Sequence, residues 1–291
     1  MLRTRLIVGS VLIGLTIGML LADEHLAPWY PFLFLWVVGL SMAACHEFIR
    51  LLGPNRRPQV LVTYLGVAVL GLTNWVIHFP TSHPSPWPWV LAVLAGLVLT
   101  VFLYEMALFE GSGRSVERMA LTLFVVAYLG FLPCFFAQLR WLYSASQASY
   151  GTVALALTIF VPKSCDTGAY VTGRLIGRHP MAPVLSPKKT IEGMIGGLTA
   201  AVVAAVLIDR LGPAPLLHHN ALLELAFGLM IGIAAMLGDL AESLLKRDCQ
   251  RKDASAAVPG FGGVLDIVDA IVFAAPVAYG WFTLTRLTDT L

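Results

Sequence analysis

Charge is what this 291-residue chain has least of: 12% of its residues are Asp, Glu, Lys or Arg, against 58% that are hydrophobic. Soluble domains carry about 25% charged residues, so that class is excluded, and a mean hydropathy of +0.80 places the chain in a bilayer. Cysteine is also scarce. Cys45, Cys134, Cys165 and Cys249 form no CxxC pair and sit in or beside apolar segments, which excludes a disulfide framework and a cysteine zinc site and leaves buried, reduced thiols. Internal repeats, heptads and low-complexity tracts are missing. The net charge is only +2, and no nucleic-acid partner is expected.

What the chain does have is a series of apolar runs near the length of about 20 residues that spans a bilayer. They fall near 5 to 22, 30 to 45, 60 to 79, 88 to 108, 118 to 137, 149 to 165, 193 to 209, 221 to 245 and 264 to 285, which predicts an all-α polytopic membrane protein of about nine transmembrane helices. Pro162 and Lys163 make the sixth run the least regular. With the N-terminus inside, fifteen of the nineteen Lys and Arg residues fall in cytoplasmic connections, as the positive-inside rule requires; the C-terminus is then outside. Arg3 and Arg5 ahead of a long apolar run read as a retained first helix rather than a cleaved signal. Residues 1–140 form an N-terminal set of about five helices, and 141–291 a C-terminal set that carries the chemistry on two polar cytoplasmic connections. The Pro-, Ser- and Trp-rich stretch from Phe79 to Trp89 reads as an outer loop. The absence of a long soluble extension or targeting peptide makes a bacterial cytoplasmic membrane the expected location, with the site facing the cytoplasm.

The chemistry concentrates between Gly238 and Asp269. A carboxylate at the centre of a membrane helix costs roughly 2.5–3.5 kcal/mol, and less near the interface, so Asp239, Asp266 and Asp269 are expected to serve a function. Asp266 and Asp269 are three apart and share one face of any helix that starts near Val264. Hard oxygen ligands of this kind suit Mg²⁺, which shares its shell with substrate phosphates. Gly260, Gly262 and Gly263 permit close backbone approach to a phosphate ahead of a helix N-terminus. The plainer alternative is a basic cytoplasmic loop with a glycine turn and N-capping acids.

These residues resemble a known family, the membrane phosphatidate cytidylyltransferases, also called CDP-diacylglycerol synthases. Their signature is matched by Ser243, Lys246-Arg247, Lys252-Asp253, Pro259-Gly260, Gly262-Gly263, Asp266 and Asp269. Upstream, Asp166-Thr167-Gly168-Ala169-Tyr170 is similar to the family's first acidic motif, and Ser186-Pro187-Lys188-Lys189-Thr190-Ile191-Glu192-Gly193 to its Ser-Pro-Lys-Lys block. The resemblance covers residues 160 to 285 and is architectural before that. Phe261 stands where the family commonly has His, and Ile267 where it commonly has Arg.

The resemblance implies transfer of CMP from CTP to phosphatidic acid, giving CDP-diacylglycerol and pyrophosphate for phospholipid biosynthesis. It implies Mg²⁺ on Asp239 and Asp266 with Asp269 as the next ligand, and leaves a second cation open. Asp239, Asp266, Lys246 and Arg247 are the expected catalytic residues. Ser186, Lys188, Lys189, Ser243, Lys252, Asp166, Gly262 and Gly263 are the expected substrate contacts. Glu192 and Glu242 are expected to position lysines, and Asp248 and Asp253 to orient Arg247 and Lys252. His46 and Glu47 read as an interfacial pair without metal partners, Glu105 as a buried acid that pairs with another helix or lines a polar groove, and His218 and His219 as outer-loop residues without a role. Membrane lipid is the other partner, and the sequence leaves oligomeric state open, with a homodimer as one option. Rival readings are a CTP-dependent enzyme acting on another lipid or polyprenol, a transporter, and an inactive scaffold. The transporter lacks the paired broken helices of such folds, because the acids and bases crowd into one half of the chain.

Overall fold

The computed structural model describes residues 2–78, 85–111, 113–143, 147–251, 254–255 and 257–289. Among the described residues it is all-α apart from one short hairpin and an isolated bridge between Val258 and Gly262. The helices are α1 (Leu2–Glu24), α2 (Pro31–Leu52), α3 (Val60–Val76), α4 (Trp87–Ala107), α5 (Ser115–Val126), α6 (Leu132–Gln138), α7 (Ala148–Ile176), α8 (Ile191–Leu211), α9 (Ala221–Asp248) and α10 (Leu265–Asp289). A π-helical turn, Ala127–Phe131, joins α5 to α6, so these form one rod from Ser115 to Trp141. Among the described residues seven segments are long and apolar enough to cross a membrane: α1, α2, α4, the α5–α6 rod, α8, α9 and α10. Apolar α3 is shorter, and α7 runs for 29 residues with Lys163 and Asp166 along it. Part of the predicted outer loop, residues 79–84, lies outside the described residues.

The sixth span differs from expectation. The sequence predicts its end near residue 165 and a polar connection beyond; instead α7 continues through the Asp166 motif to Ile176. Glycine makes that continuation possible. A Cβ on Gly168 would lie 2.5 Å from Ala200 Cβ and one on Gly196 would lie 2.0 Å from Thr172 Oγ1, so α7 and α8 meet at backbone distance, as small residues allow in membranes. Asp166 is therefore held within a rigid helix, neither ending nor capping one. The rest of the predicted loop is also ordered. Strand β1 (Pro180–Ala182) pairs antiparallel with β2 (Ser186–Thr190), and Thr190 then caps α8 by accepting a 3.1 Å hydrogen bond from Gly193 N. The Ser-Pro-Lys-Lys-Thr block is thus β2 itself, delivered straight into a helix.

Around α7 the helices share one core, in which Leu155, Leu157 and Val161 pack with Phe227, Ile231, Ala274 and Phe282 of α9 and α10, and with Met19, Leu33 and Ala137 from the N-terminal half. Helix ends are satisfied locally. The buried Asp23 carboxylate accepts from Phe32 N and Leu33 N at the start of α2, and Asn220 caps α9. Glu105 takes the first of its two alternatives, pairing with Arg118 of α5 and accepting 2.8 Å from Gln59 Nε2 beside α3. His219, expected to have no role, approaches Asp209 at 3.3 Å and brackets the same helix ends with the Arg210–Glu224 pair.

Candidate active site

Helices α9 and α10 touch where the acids lie. A Cβ on Gly238 would sit 2.6 Å from the Asp269 carbonyl oxygen and 3.0 Å from Phe273 Cβ, so only glycine lets these two backbones close. The consequence is a trio: one carboxylate oxygen each from Asp239, Glu242 and Asp269 falls within 4.8 Å of the others. Glu242 is 1% exposed and Asp269 4%, and Glu242 Oε1 has no hydrogen-bond partner among the described residues.

Three lysines face this trio. Lys189 Nζ reaches Asp239 Oδ2 at 2.7 Å from β2, and Lys246 Nζ lies 2.7 Å from both Glu242 Oε2 and Asp266 Oδ1. Lys163 Nζ sits 3.2 Å from Asp166 and 3.8 Å from Asp269 on α7. Five carboxylates thus meet three ammonium groups. Counted over the described residues and fully ionised, the cluster is two negative charges in excess, and buried charge needs compensation.

Asp266 and Asp269 lie three residues apart on α10, as the sequence indicates, and Asp266 has its own set of donors. It sits in the first turn of α10, where unpaired backbone N–H groups attract a carboxylate, and it accepts from Gly263 N at 2.7 Å and Ala254 N at 3.3 Å as well as from Lys246. In the glycine turn Gly260 and Gly262 adopt φ of +85° and +99°; a Cβ on Gly262 would meet Asp266 Oδ2 at 2.9 Å, and one on Gly263 would meet Glu47 Oε2 at 2.4 Å. The carboxylates of Asp266 and Glu47 pack against this turn.

Glu47 is the residue sequence reasoning missed. Rather than snorkelling at the interface it is 6% exposed, accepts 2.6 Å from Ser255 Oγ, and accepts 2.8 Å from Leu265 N at the head of α10. Its partners are more than two hundred positions away, so no local spacing reveals it; the only signal is an acid inside an apolar segment. Glu47→Gln is expected to loosen the 254–265 connection and lower catalytic turnover about 10- to 100-fold, as loss of a supporting contact does around a bound ion. Hydrogen exchange of the 254–265 amides with turnover measured in parallel checks this, and unchanged protection counts against it.

The remaining expected residues divide into two groups. Asp166, Lys188, Lys189 and Asp239 line one cavity of about 520 Å³ with Arg174, Thr190 and Met236, within the range of pockets that enclose small ligands. Ser186 stands at the head of β2, and Ser243 is buried within α9. Arg247 donates to the Leu185 carbonyl oxygen at 3.3 Å, tying α9 to the hairpin. Asp248, expected to orient Arg247, pairs with Arg56 of the α2–α3 connection instead. Glu242 does hold a lysine, Lys246, whereas Glu192 accepts from the Arg178 and His179 backbone. Lys252 and Asp253 lie outside the described residues. Exposed Phe261 packs beside Gly9 of α1, and Ile267 is half-buried on α10.

Residues 3–285 match the cytidylyltransferase family, so the likeness reaches well upstream of residue 160. Phosphatidate cytidylyltransferase of Staphylococcus aureus (strain COL) is 30% identical over 216 residues, covering 72% of this chain and 76% of that protein. The Staphylococcus epidermidis protein of the same name is 33% identical over 191 residues, 65% of this chain and 69% of its own length. Phosphatidate cytidylyltransferase 5, chloroplastic, of Arabidopsis thaliana is 31% identical over 202 residues, 63% of this chain and half of that longer protein. A helical membrane scaffold, an acid trio braced by lysines and a family match over nearly the full length lead to one assignment: this chain belongs to the cytidylyltransferase family.

Proposed function

We propose that the protein is a phosphatidate cytidylyltransferase, transferring CMP from CTP to phosphatidic acid and releasing pyrophosphate. The observation that carries this reading is the carboxylate trio of Asp239, Glu242 and Asp269 with its lysines, placed beside a cavity of nucleotide-accommodating size. A lipid phosphate is already ionised, so the reaction needs no activated side-chain nucleophile. One of its oxygens forms a bond to the α-phosphorus of CTP, the bond from that phosphorus to the bridging oxygen of the β-phosphate breaks, and pyrophosphate leaves with the electron pair. What opposes the step is repulsion between two polyanions, and catalysis becomes alignment and charge cancellation.

The donor set fits Mg²⁺. Asp239, Glu242 and Asp269 would hold it, each offering a hard carboxylate oxygen to one cluster, and the unpartnered Glu242 oxygen favours a cation there. When bound, the ion supplies charge neutralisation and polarisation of phosphoryl oxygens. Asp266 contributes through Lys246, which it shares with Glu242. In the cavity Lys188 and Lys189 neutralise the triphosphate, and Asp166 positions Lys163. The two substrates then approach from different sides, the nucleotide from water and the lipid from the bilayer. The basic connections favour a cytoplasmic face and a bacterial cytoplasmic membrane, with nine spans and an outer C-terminus.

Label position tests the reaction. With purified protein, phosphatidic acid and Mg²⁺, label from α-³²P-CTP is expected in the lipid and label from γ-³²P-CTP in pyrophosphate. Transfer of the γ label to lipid marks a CTP-dependent kinase, and no lipid label from either marks a transporter or scaffold. Lys188→Ala is expected to raise the KM for CTP about 10-fold with little change in the KM for phosphatidic acid, as loss of one charge-assisted contact worth about 1.5 kcal/mol predicts; initial rates across both substrate ranges decide it.

A further inference from the structure

The π-helical turn Ala127–Phe131 carries a residue that the site described above does not use. Tyr128 is 5% exposed, and its hydroxyl is buried with no hydrogen-bond partner among the described residues. Its ring is fixed: it stacks on Phe124 at 6.1 Å and meets Phe273 edge-on at 6.1 Å and Phe48 at 6.4 Å. A buried phenol normally finds a partner, and π turns inside α-helices frequently mark functional sites. Both facts ask what this hydroxyl meets.

The surroundings supply an answer. Tyr128 lies at the wall of an apolar cavity of about 400 Å³ between the α5–α6 rod and α9, lined also by Phe131, Leu132, Ala241, Leu244 and Phe273. Ala241 directly precedes Glu242, and Phe273 follows Asp269 by one helical turn, so the cavity runs along the helices that carry the trio. The three segments that form the cavity, the α5–α6 rod, α9 and α10, are all apolar enough for the bilayer. An apolar slot between membrane-spanning segments, with a buried unpartnered hydroxyl on a wall residue and the helices of the trio alongside, suits an amphiphile whose chain fills the slot and whose head supplies the missing acceptor.

We propose that this slot receives an acyl chain of the lipid phosphate substrate and that the Tyr128 hydroxyl donates a hydrogen bond to an oxygen of that lipid's headgroup. This rests on the cytidylyltransferase reading and adds the residue and groove that recognise the lipid. Tyr128 stands in contact with substrate and takes no proton. Phe124 and Phe273 position its ring, and the π turn aims it.

Two kinetic comparisons and one direct measurement test the assignment on the purified full-length protein. Tyr128→Phe, which keeps the ring and its packing, is expected to raise the KM for dioleoyl phosphatidic acid about 10-fold, the effect of losing a hydrogen bond to a charged group, while the KM for CTP stays within twofold. Ala241→Phe, which fills the slot, is expected to raise the KM for the dioleoyl lipid several-fold more than for the dihexanoyl lipid. A phosphatidic acid with a diazirine at mid-chain is expected to crosslink to residues 241–245 or 273 of the wild-type protein, with CTP absent. Equal effects of Ala241→Phe on both chain lengths, parallel rises in both KM values for Tyr128→Phe, or crosslinking confined to other helices would each overturn the proposal. The crosslinking arm does not depend on turnover. Failure of the wild type to label lipid from α-³²P-CTP while the crosslink forms as expected would therefore sink the reaction and leave the groove standing.

Discussion

Asp239→Asn is expected to abolish cytidylyl transfer to within about 0.1–1% of the wild-type rate while the protein remains folded. The effect follows from where Asp239 sits. It belongs to the trio with Glu242 and Asp269, holds Lys189 at 2.7 Å, and lines the cavity assigned to CTP. Converting it to an amide removes one anionic oxygen donor and one charge from a site whose task is to gather phosphates. Polarisation by a bound cation contributes several kcal/mol, and each 1.36 kcal/mol lost is tenfold in rate, so a fall of about 10²–10³-fold is the expected scale. Stability should move little, because Asp239 is 37% exposed at its side chain and Asn fills the same volume. Turnover with label from α-³²P-CTP and thermal unfolding in detergent measure the two quantities separately. A variant that keeps a tenth of the wild-type rate at saturating Mg²⁺ would remove Asp239 from the chemistry. A variant that unfolds at room temperature would make it a structural acid.

The scaffold was legible because the bilayer imposes a length. Runs of about 20 apolar residues announce themselves, and α1, α2, α4, α8, α9 and α10 all coincide with predicted runs. Helix α7 was only half legible. Its second half is rich in Asp, Thr, Gly and Arg and reads as a connection, yet Gly168 and Gly196 bring α7 and α8 into contact, and packing of that kind overrides composition. The hairpin that follows reads as loop for a different reason: the three residues of β1 and five of β2 carry too little periodicity to be seen.

The site was legible in its residue types and less so in its pairings. Asp239 and Asp269 were recognisable as costly acids in apolar sequence. Glu242 stood three residues after Asp239, the same spacing that linked Asp266 to Asp269, and that symmetry was the available signal for including it in the trio. The local partners of Asp266 are harder to read from sequence, because a first-turn carboxylate has free backbone N–H groups within reach, and here Gly263 N donates to it. Glu47 and Lys163 are invisible as partners, since their contacts to Leu265 and Asp269 join residues far apart in sequence. Local spacing reports which side chains share a helix face. Which faces meet is decided by glycines such as Gly238, whose missing side chain lets α9 and α10 close.

Lys246→Met is expected to cost more stability than any other single change at the site. Lys246 is 13% exposed at its side chain and bridges Glu242 of α9 to Asp266 of α10, 2.7 Å from each. Methionine matches its length and apolar stem but leaves two carboxylates facing each other without a counter-charge. Removing one partner of a buried ion pair destabilises by about 3–5 kcal/mol because the other charge stays buried and uncompensated. For a chain of this size that corresponds to a fall in Tm on the order of 10 °C. The double variant Lys246→Met/Glu242→Gln removes one of the stranded charges and is expected to regain about half of the lost stability, a coupling that contact between the two residues requires. Activity should follow a different course, staying at least about 10²-fold below wild type in both variants, because the phosphates still lack their cation and the trio has lost an oxygen donor. Thermal unfolding and cytidylyl transfer on the two variants separate these outcomes. Recovery of rate along with stability would show that Lys246 serves only to hold α9 against α10, and the catalytic cation would then have to be sought among Lys163, Lys188 and Lys189.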